Sequence, residues 1–160
     1  LEAVIDLLDL LRAEIQLFQM GVELFCADHT VLLTLCDQLN CWDQRLEANE
    51  IQLSQLMLNL ILNGFHAMEP EGGILTVTTS FDETHIQLQV TDTGCGIPRE
   101  IRGKIFEPFF TTKEAGKGTG LGLAIVAQVL EDHHGKIRVE SKEGRGTTFL
   151  VSLPRNRISE

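Results

Sequence analysis

Apolar residues recur at helical spacing in three parts of the chain, which predicts three helices. In the first part, residues 1–19, the spaced positions are Leu1, Val4, Ile5, Leu8, Leu11, Ile15 and Phe18. Gly21 follows as a stop signal. The second helix is expected over about 50–68 and the third over about 121–133, with Gly135 as its cap.

Alternating apolar and polar residues predict the strands. The expected strands are Val22–Ala27, Val31–Cys36, Ile74–Ser80, His85–Thr91, Lys136–Ser141 and Thr147–Leu153. Residues 93–120, rich in glycine and phenylalanine, are typical of a long functional loop with a short helix. We therefore expect an α+β fold, a two-layer sandwich in which a mixed, mostly antiparallel sheet packs against three helices.

Charge narrows the possible partners. The 160 residues suit one domain and carry a net charge of −10, which argues against nucleic-acid binding. Two basic and 15 acidic residues precede Arg99, whereas 11 basic and eight acidic residues lie from Arg99 onward. This glycine-rich, basic C-terminal part favours a small polyanion as ligand.

Other features of the composition indicate where the protein works. No apolar run has the length of a membrane span and no secretory leader is visible, so we expect a cytoplasmic chain without membrane contact of its own. The four cysteines show no C-x-x-C pair and are expected to be reduced thiols. Because the chain begins at Leu1, we expect a fragment of a longer protein.

One polar stripe interrupts the apolar second helix. Gln52, Gln55, Asn59, Asn63 and His66 recur at steps of three and four and so share one face. A solvated face would usually carry Lys and Glu. Neutral amide oxygens instead are suitable ligands for Mg²⁺ shared with a substrate's phosphates.

Asp92 ends a predicted strand and is followed by Gly94 and Gly96. A carboxylate there can accept a hydrogen bond from an exocyclic amine, and the glycines let a flat ring approach the backbone. The same residues also suit an ordinary tight turn. Asp92-Thr93-Gly94 is in addition the core motif of aspartic proteases, but one copy would require a homodimer, and the long helices do not fit that all-β architecture.

A run of alternating glycines, residues 116–123, leads directly into the third helix. Exposed backbone amides and the positive end of a helix dipole together favour an anionic phosphate. The run contains neither a P-loop nor a Rossmann fingerprint.

Five segments occur in a fixed order: residues 59–63, 92–96, 106–113, 118–122 and 144–149. In that order they closely resemble the N, G1, F, G2 and G3 boxes of the catalytic ATP-binding domain of sensor histidine kinases, members of the GHKL superfamily with the Bergerat fold. The resemblance is tight from about Asn49 to Pro154 and loose before that. It implies one domain over 1–160, with the phosphoacceptor hairpin and sensor regions absent.

The resemblance implies a binding site for ATP and Mg²⁺. Asn63 would coordinate the metal with Asn59 in support, and both are the expected catalytic residues. Asp92 would bind the adenine amino group and Thr147 would assist there, while Phe106, Phe109 and Phe110 would anchor a mobile lid. The expected nucleotide-binding residues are Asn63, His66, Asp92, Gly94, Gly96, Ile97, Phe106, Phe110, Lys113, Lys117, Gly118, Thr119, Gly120, Leu121, Gly122 and Thr147; Lys113 and Lys117 are included on charge grounds.

Two positions depart from the wider superfamily in an informative way. ATP-hydrolysing members carry a Glu where this chain has Asn59, and an amide cannot act as a general base. The resemblance therefore implies phosphoryl transfer rather than ATP hydrolysis. His66 stands where many kinases carry a Lys, and it would either bind phosphate when protonated or simply line the site.

None of the five histidines has the sequence context of a phosphoacceptor. The expected partners are therefore a phosphoacceptor histidine hairpin from the same parent protein and a downstream response regulator. The fragment itself is expected to be a monomer, and its parent protein can be either soluble or membrane-anchored. His133 and His134 are expected to cap the third helix. A serine kinase of the same superfamily and a non-catalytic nucleotide-binding interaction module are the alternatives.

Overall fold

The computed structural model describes residues 3–6, 31–37, 45–113 and 118–155. Within them lie seven strands and two helices. In chain order these are β1 (Ala3–Asp6), β2 (Val31–Asp37), β3 (Arg45–Ala48), α1 (Glu50–Ala67), β4 (Gly73–Phe81), β5 (His85–Asp92), α2 (Gly122–Asp132), β6 (Lys136–Lys142) and β7 (Gly146–Pro154).

Five strands form one sheet in the order β2-β4-β5-β7-β6. β2 runs parallel to β4, and the other three pairings are antiparallel. Helices α1 and α2 pack against each other and against this sheet. The expected α+β sandwich with a mixed, mostly antiparallel sheet is confirmed.

α1 forms because its N-terminus is capped and one side of it is apolar. The Asn49 side chain accepts hydrogen bonds from the backbone N–H groups of Ile51 at 3.1 Å and Gln52 at 3.3 Å. These bonds satisfy two of the four N–H groups that a helix start leaves without partners. The buried residues of α1 are Leu53, Leu56, Met57, Leu60, Ile61 and Phe65. Their spacing of three and four residues points them at the sheet.

One face of the sheet carries rows of apolar side chains. Register partners in adjacent strands lie side by side, so each row crosses β5, β7 and β6. Two complete rows are Leu88, Val151 and Ile137, and Val90, Phe149 and Val139. The next row along the sheet is polar and consists of Asp92, Thr147 and Ser141. The core therefore ends at this row, where a site can open.

The structure corrects the prediction for the start of the chain. Ala3–Asp6, expected to be helical, is a strand paired antiparallel with Arg45–Ala48. Pairing with a distant segment outweighs the local apolar spacing there. The rest of the expected first helix and the expected strand Val22–Ala27 lie outside the described residues. The strand expected at Val31–Cys36 is confirmed.

Two smaller differences concern the loop and the second helix. No helix occurs in the described part of residues 93–120; instead, turns follow one another, as in the N–H bonds from Lys104 to Ile101 and from Glu107 to Lys104. α2 ends with His134 in the left-handed conformation, at φ 53°, where Gly135 was expected. Gly135 instead donates its N–H to Leu130 at 2.7 Å, which completes a Schellman-type end.

Neither described helix is both long and apolar enough to cross a membrane.

Candidate functional site

Asp92 is a buried carboxylate at the end of β5, with 4% of its surface exposed. Its Oδ1 accepts N–H bonds from Gly94 at 2.8 Å and Thr147 at 3.2 Å. No described residue donates to Oδ2, and no described side-chain polar atom is both buried and without a partner. Oδ2 therefore keeps access to open space and remains available as an acceptor.

Burial raises the pKa of Asp92 above its ordinary value of 3.8, since the charged form loses hydration. The N–H bonds from Gly94 and Thr147 oppose this rise because they favour the carboxylate. The two backbone donors thus hold a charged acceptor in a place where desolvation disfavours charge.

Glycines let three segments close around this carboxylate. A Cβ on Gly94 would collide with the carbonyl of Ala67 at the end of α1, and one on Gly146 would collide with the backbone of Asp92. Gly96 has φ +72°, and a side chain there would strike the Lys142 carbonyl. These positions exclude side chains because the backbones touch.

Ser141 belongs to the same cluster and was missed by the sequence reasoning. Its Oγ accepts the Ile97 N–H at 2.8 Å, donates to the Gly146 carbonyl at 2.9 Å and lies 3.0 Å from the Thr147 hydroxyl. The signal was available: Ile137, Val139 and Ser141 share one face at two-residue spacing.

A second group of residues surrounds a cavity of about 490 Å³ between α1 and the start of α2. It brings together ten of the predicted site residues: Asn59, Asn63, His66, Phe110, Lys113, Gly118, Thr119, Gly120, Leu121 and Gly122. Thr111 also lines it and was not predicted.

The other predicted residues lie elsewhere. Asp92, Gly94, Gly96, Ile97, Phe106 and Thr147 do not line this cavity. Gly64, which follows Asn63 in α1, joins the two groups: a Cβ there would lie 3.5 Å from the Asp92 Cβ and only 2.5 Å from Leu75. The Asp92 side chain thus lies beside the residue that directly follows the cavity-lining Asn63 in α1. Lys117 lies outside the described residues.

The polar stripe of α1 divides between two tasks. Asn59, Asn63 and His66 line the cavity. Gln52 instead donates to Asp132 at 2.9 Å, at the far end of α2, and Gln55 is exposed. Only the second half of the stripe belongs to the site.

The amides of Asn59 and Asn63 have no hydrogen-bond partner among the described residues. They are half-buried, so they keep unused acceptor oxygens beside the cavity. Two neutral oxygens suit Mg²⁺, which takes a few protein ligands and completes its shell with water and phosphate. Among the described residues, no three His, Cys, Asp or Glu side chains cluster in a way that could hold a metal ion. The Asn59 and Asn63 amide oxygens are the ligands at the cavity that suit Mg²⁺.

The N-terminus of α2 faces the same space. No side chain caps it and its first turn carries no acidic residue, so its free N–H groups and positive dipole end remain unneutralised. A Cβ on Gly122 would lie 3.1 Å from the Asn59 Oδ1 and 3.7 Å from the Asn63 Nδ2. Because Gly122 has no side chain, the anion-binding N-terminus of α2 can lie close to the amides of Asn59 and Asn63.

Described residues of the segment between β5 and α2, among them Phe110 and Lys113, line the cavity on one side. Phe106 and Phe110 pack against the core, as expected of anchors. Phe109 does not: 75% of it is exposed, and its φ of 67° is left-handed. Phe109 donates its N–H to the Gly120 carbonyl at 2.9 Å, and a Cβ on Gly120 would strike its backbone. This close contact turns the ring outward.

Burial lowers the pKa values of both His66 and Lys113 at the cavity. Burial, and then repulsion from Lys113, lowers the pKa of His66 below 6.5, although the Glu69 carboxylate opposes this. Burial also lowers the pKa of Lys113, and Glu69 and Cys95 oppose that shift. His66 is therefore neutral at pH 7, which favours the lining role over phosphate binding at that pH.

His133 links the end of α2 to the start of α1 through hydrogen bonds of a neutral imidazole. Its Nε2 accepts the Asn49 N–H at 3.1 Å, and its Nδ1 lies 2.8 Å from the Val129 carbonyl. An imidazole that accepts at one nitrogen and donates at the other is neutral. It joins the end of α2 to the start of α1.

Comparison with known proteins agrees with this geometry. Residues 48–157 match the family model of histidine kinase-, DNA gyrase B-, and HSP90-like ATPases. Sporulation kinase C of Bacillus subtilis (strain 168) is 43% identical over 109 residues, which cover 68% of this chain and 25% of that protein. The chain spans between 12% and 25% of the first three curated relatives.

Solved structures show the same fold. The nucleotide-free catalytic domain of histidine kinase ThkA superimposes with a TM-score of 0.81 at 32% identity, covering 97% of this chain and 96% of that one. ThkA in complex with the response regulator protein TrrA superimposes with a TM-score of 0.75 at 29% identity, covering 97% of this chain and 42% of the other.

Proposed function

The chain belongs to the family of histidine kinase-, DNA gyrase B- and HSP90-like ATPases, and from that premise we propose that residues 1–160 form the ATP-binding catalytic domain of a two-component sensor histidine kinase. In this proposal the domain binds Mg-ATP and transfers the γ-phosphate to a histidine on a separate dimerisation hairpin.

One observation carries the proposal. The N-terminus of α2 lies against the Asn59 and Asn63 amides of α1, with Gly122 between them and a cavity in front. Among the described residues, no side chain caps this helix end and none is a hydrogen-bond partner of the two amides. The helix end favours anionic oxygens and the amides favour a hard cation. A phosphate chain with bound Mg²⁺ satisfies both at once.

The adenine would lie at the polar row. The free Oδ2 of Asp92 would accept from the exocyclic amine, while Gly94, Gly96 and Ile97 would let the ring approach. Because the Asp92 side chain lies beside Gly64, which directly follows Asn63 in α1, a base and its phosphates could occupy the two groups of residues together.

The site would position groups rather than supply a base. Mg²⁺, held by Asn63 with Asn59 in support, would neutralise charge on the phosphate oxygens. The helix end and Lys113 would add positive charge, and Gly118, Thr119, Gly120 and Leu121 would supply backbone around the phosphates. Asn59 has no proton-accepting group to activate water, so transfer to an added nucleophile is favoured over hydrolysis.

The proposal is tested by measuring phosphoryl transfer from ATP to a separately supplied histidine hairpin. The domain is mixed with labelled Mg-ATP and a histidine hairpin of a sensor kinase, and the label on the hairpin is followed. We expect acid-labile labelling that Asn63→Ala abolishes and Thr148→Ala leaves unchanged, since the Thr148 hydroxyl contacts Thr91 on the sheet.

Two results would overturn the proposal. ATP binding without labelling, under conditions where another kinase domain labels the same hairpin, would favour a non-catalytic interaction module. An acid-stable phosphoserine product would favour a serine kinase instead.

We further propose that a response regulator receives the phosphate. The solved complex of ThkA with the response regulator protein TrrA supports this. The domain alone is proposed to be a monomer, which size-exclusion chromatography with light scattering would test.

A further inference from the structure

We propose that Ser141 determines nucleotide specificity by fixing the direction of the Thr147 hydroxyl proton, so that Thr147 presents only acceptor lone pairs beside Asp92. The inference rests on the proposed nucleotide site and extends it to a residue that does not itself touch the base.

The first step is the position of the three side chains. Asp92, Thr147 and Ser141 are register partners on adjacent strands, so all three point to the same face of the sheet. Asp92 and Thr147 are buried, with 4% and 3% of their surfaces exposed. In such a place the orientation of each hydroxyl is decided by its few protein partners.

The second step is that Ser141 and Thr147 each have one hydroxyl proton to donate. A serine hydroxyl has one proton, and a carbonyl can only accept. The 2.9 Å bond from the Ser141 Oγ to the Gly146 carbonyl therefore uses the Ser141 proton. The Ile97 N–H occupies one lone pair of the same oxygen at 2.8 Å.

The third step follows for Thr147. Its Oγ1 lies 3.0 Å from the Ser141 Oγ, whose proton is already committed. Thr147 must then be the donor in this contact. Its own proton points at Ser141, and only lone pairs remain for any other partner.

The consequence is a site edge without donors from side chains. Asp92 Oδ2 and Thr147 Oγ1 both accept, so a base bearing an amine at this edge is favoured. A base bearing a carbonyl there faces two acceptors and is rejected. Released from Ser141, the Thr147 hydroxyl could rotate and donate to a carbonyl, and the rejection would weaken.

The experiment measures a ratio of affinities in the 160-residue chain. Dissociation constants are determined for the wild type and for Ser141→Ala with Mg-ATP and with the magnesium triphosphate of 6-methoxypurine riboside. The base of this analogue has an ether oxygen, an acceptor like a carbonyl, in place of the amine and gains no ring N–H. We expect the preference for ATP to fall by about five- to tenfold, the usual effect of one misplaced hydrogen bond. Ser141→Thr, which retains a hydroxyl, should restore it, and Thr148→Ala should leave it unchanged.

A purely structural role gives a different result. If Ser141→Ala weakens the binding of ATP and of the 6-methoxypurine analogue equally, so that the ratio is unchanged, the proposal is overturned. If folded wild type binds neither nucleotide, the proposed function fails and this inference fails with it.

A second variant covers the case in which Ser141→Ala does not fold. Thr147→Val has nearly the same shape but lacks the acceptor oxygen, so it should reduce the same ratio. Where Ser141→Ala does fold, adding it to Thr147→Val should cause no further loss, because its effect acts through Thr147. A Thr147→Val protein with the wild-type ratio would refute the proposal.

Discussion

At the scale of single residues, the site depends on groups that the fold holds in unfavourable states. Asp92 carries charge where burial disfavours it, His66 is kept neutral beside a lysine, and Phe109 adopts a left-handed backbone with its ring exposed. Such features are common at functional sites because function, not stability, selects them.

Asp92→Asn should make the free protein more stable at pH 7. Because the folded state raises the pKa of Asp92, this group's contribution to stability is present below pH 3.8 and is lost as the pH rises through the folded pKa. The Asn oxygen can still accept from Gly94 and Thr147 without a charge. We expect a gain of about 1 kcal/mol in the free energy of unfolding.

Urea denaturation of both proteins between pH 4 and pH 7 checks this. The difference should shrink as the pH falls toward 4, because the raised pKa lets the wild-type carboxyl take up its proton at a higher pH than in the unfolded chain. A variant that is less stable than wild type at pH 7 would contradict the argument.

His66 should make nucleotide binding depend on pH. Its lowered pKa leaves it neutral at pH 7, and acidification into the range below 6.5 adds a positive charge at the cavity. Relative to His66→Gln, wild-type affinity for Mg-ATP should rise two- to fivefold as the pH falls through the lowered pKa of His66. Parallel titrations cancel the ionisation of ATP itself, and identical pH profiles would show that His66 does not face the phosphates.

Site residues could be predicted from the sequence where the residue type itself indicates the chemistry. The amides of α1 and the glycines before α2 were predicted and are found together at one cavity. Ser141 was missed because its role arises from three partners in different segments, and the exposure of Phe109 follows from its contact with Gly120.

At the scale of elements, the helix ends position the site. The start of α1 and the end of α2 are joined by the Asn49–His133 and Gln52–Asp132 bonds. At their opposite ends, α1 and α2 leave the cavity open between them. One end of the helix pair is thus fastened and the other is available for a ligand.

Asn49→Ala should destabilise this fastened end. It removes the side-chain cap that accepts from Ile51 and Gln52, at a cost of about 1 kcal/mol in the free energy of unfolding. Gln55→Ala, at an exposed position of the same helix, serves as control and should change stability little. Equal urea midpoints for the two variants would argue against the cap.

Element types were predictable where period and stop signals agreed, as for α1, β4 and β5. The strand Ala3–Asp6 was not, because its partner Arg45–Ala48 lies about 40 residues away and local spacing cannot report it. The loop before α2 was expected to hold a short helix, but its glycines and prolines favour successive turns instead.

At the scale of the whole molecule, the chain is acidic, yet the proposed site would bind an anionic ligand through a small region where the local charge is positive. The net charge of −10 would repel a triphosphate at long range. Backbone N–H groups, Lys113 and a bound cation would reverse this locally. Binding should therefore depend strongly on the metal.

Mg-ATP should stabilise the folded chain, and a chelator should remove most of the effect. At 100 times the dissociation constant, a ligand that binds only the folded state adds about 2.7 kcal/mol. Thermal denaturation with Mg-ATP, with ATP plus EDTA, and without ligand measures this. Equal midpoints with and without EDTA would show that the Asn59 and Asn63 amides hold no metal.

The central claim is that Asp92 and the cavity beside α1 form one ATP site, and a calorimetric titration of Mg-ATP into wild type and Asp92→Asn tests it most directly. We expect saturable binding by the wild type and at least a hundredfold weaker binding by the variant, since it loses a charged acceptor and turns an amide donor toward the amine. Folded wild type that binds no Mg-ATP, or a variant that binds it equally well, would contradict the account.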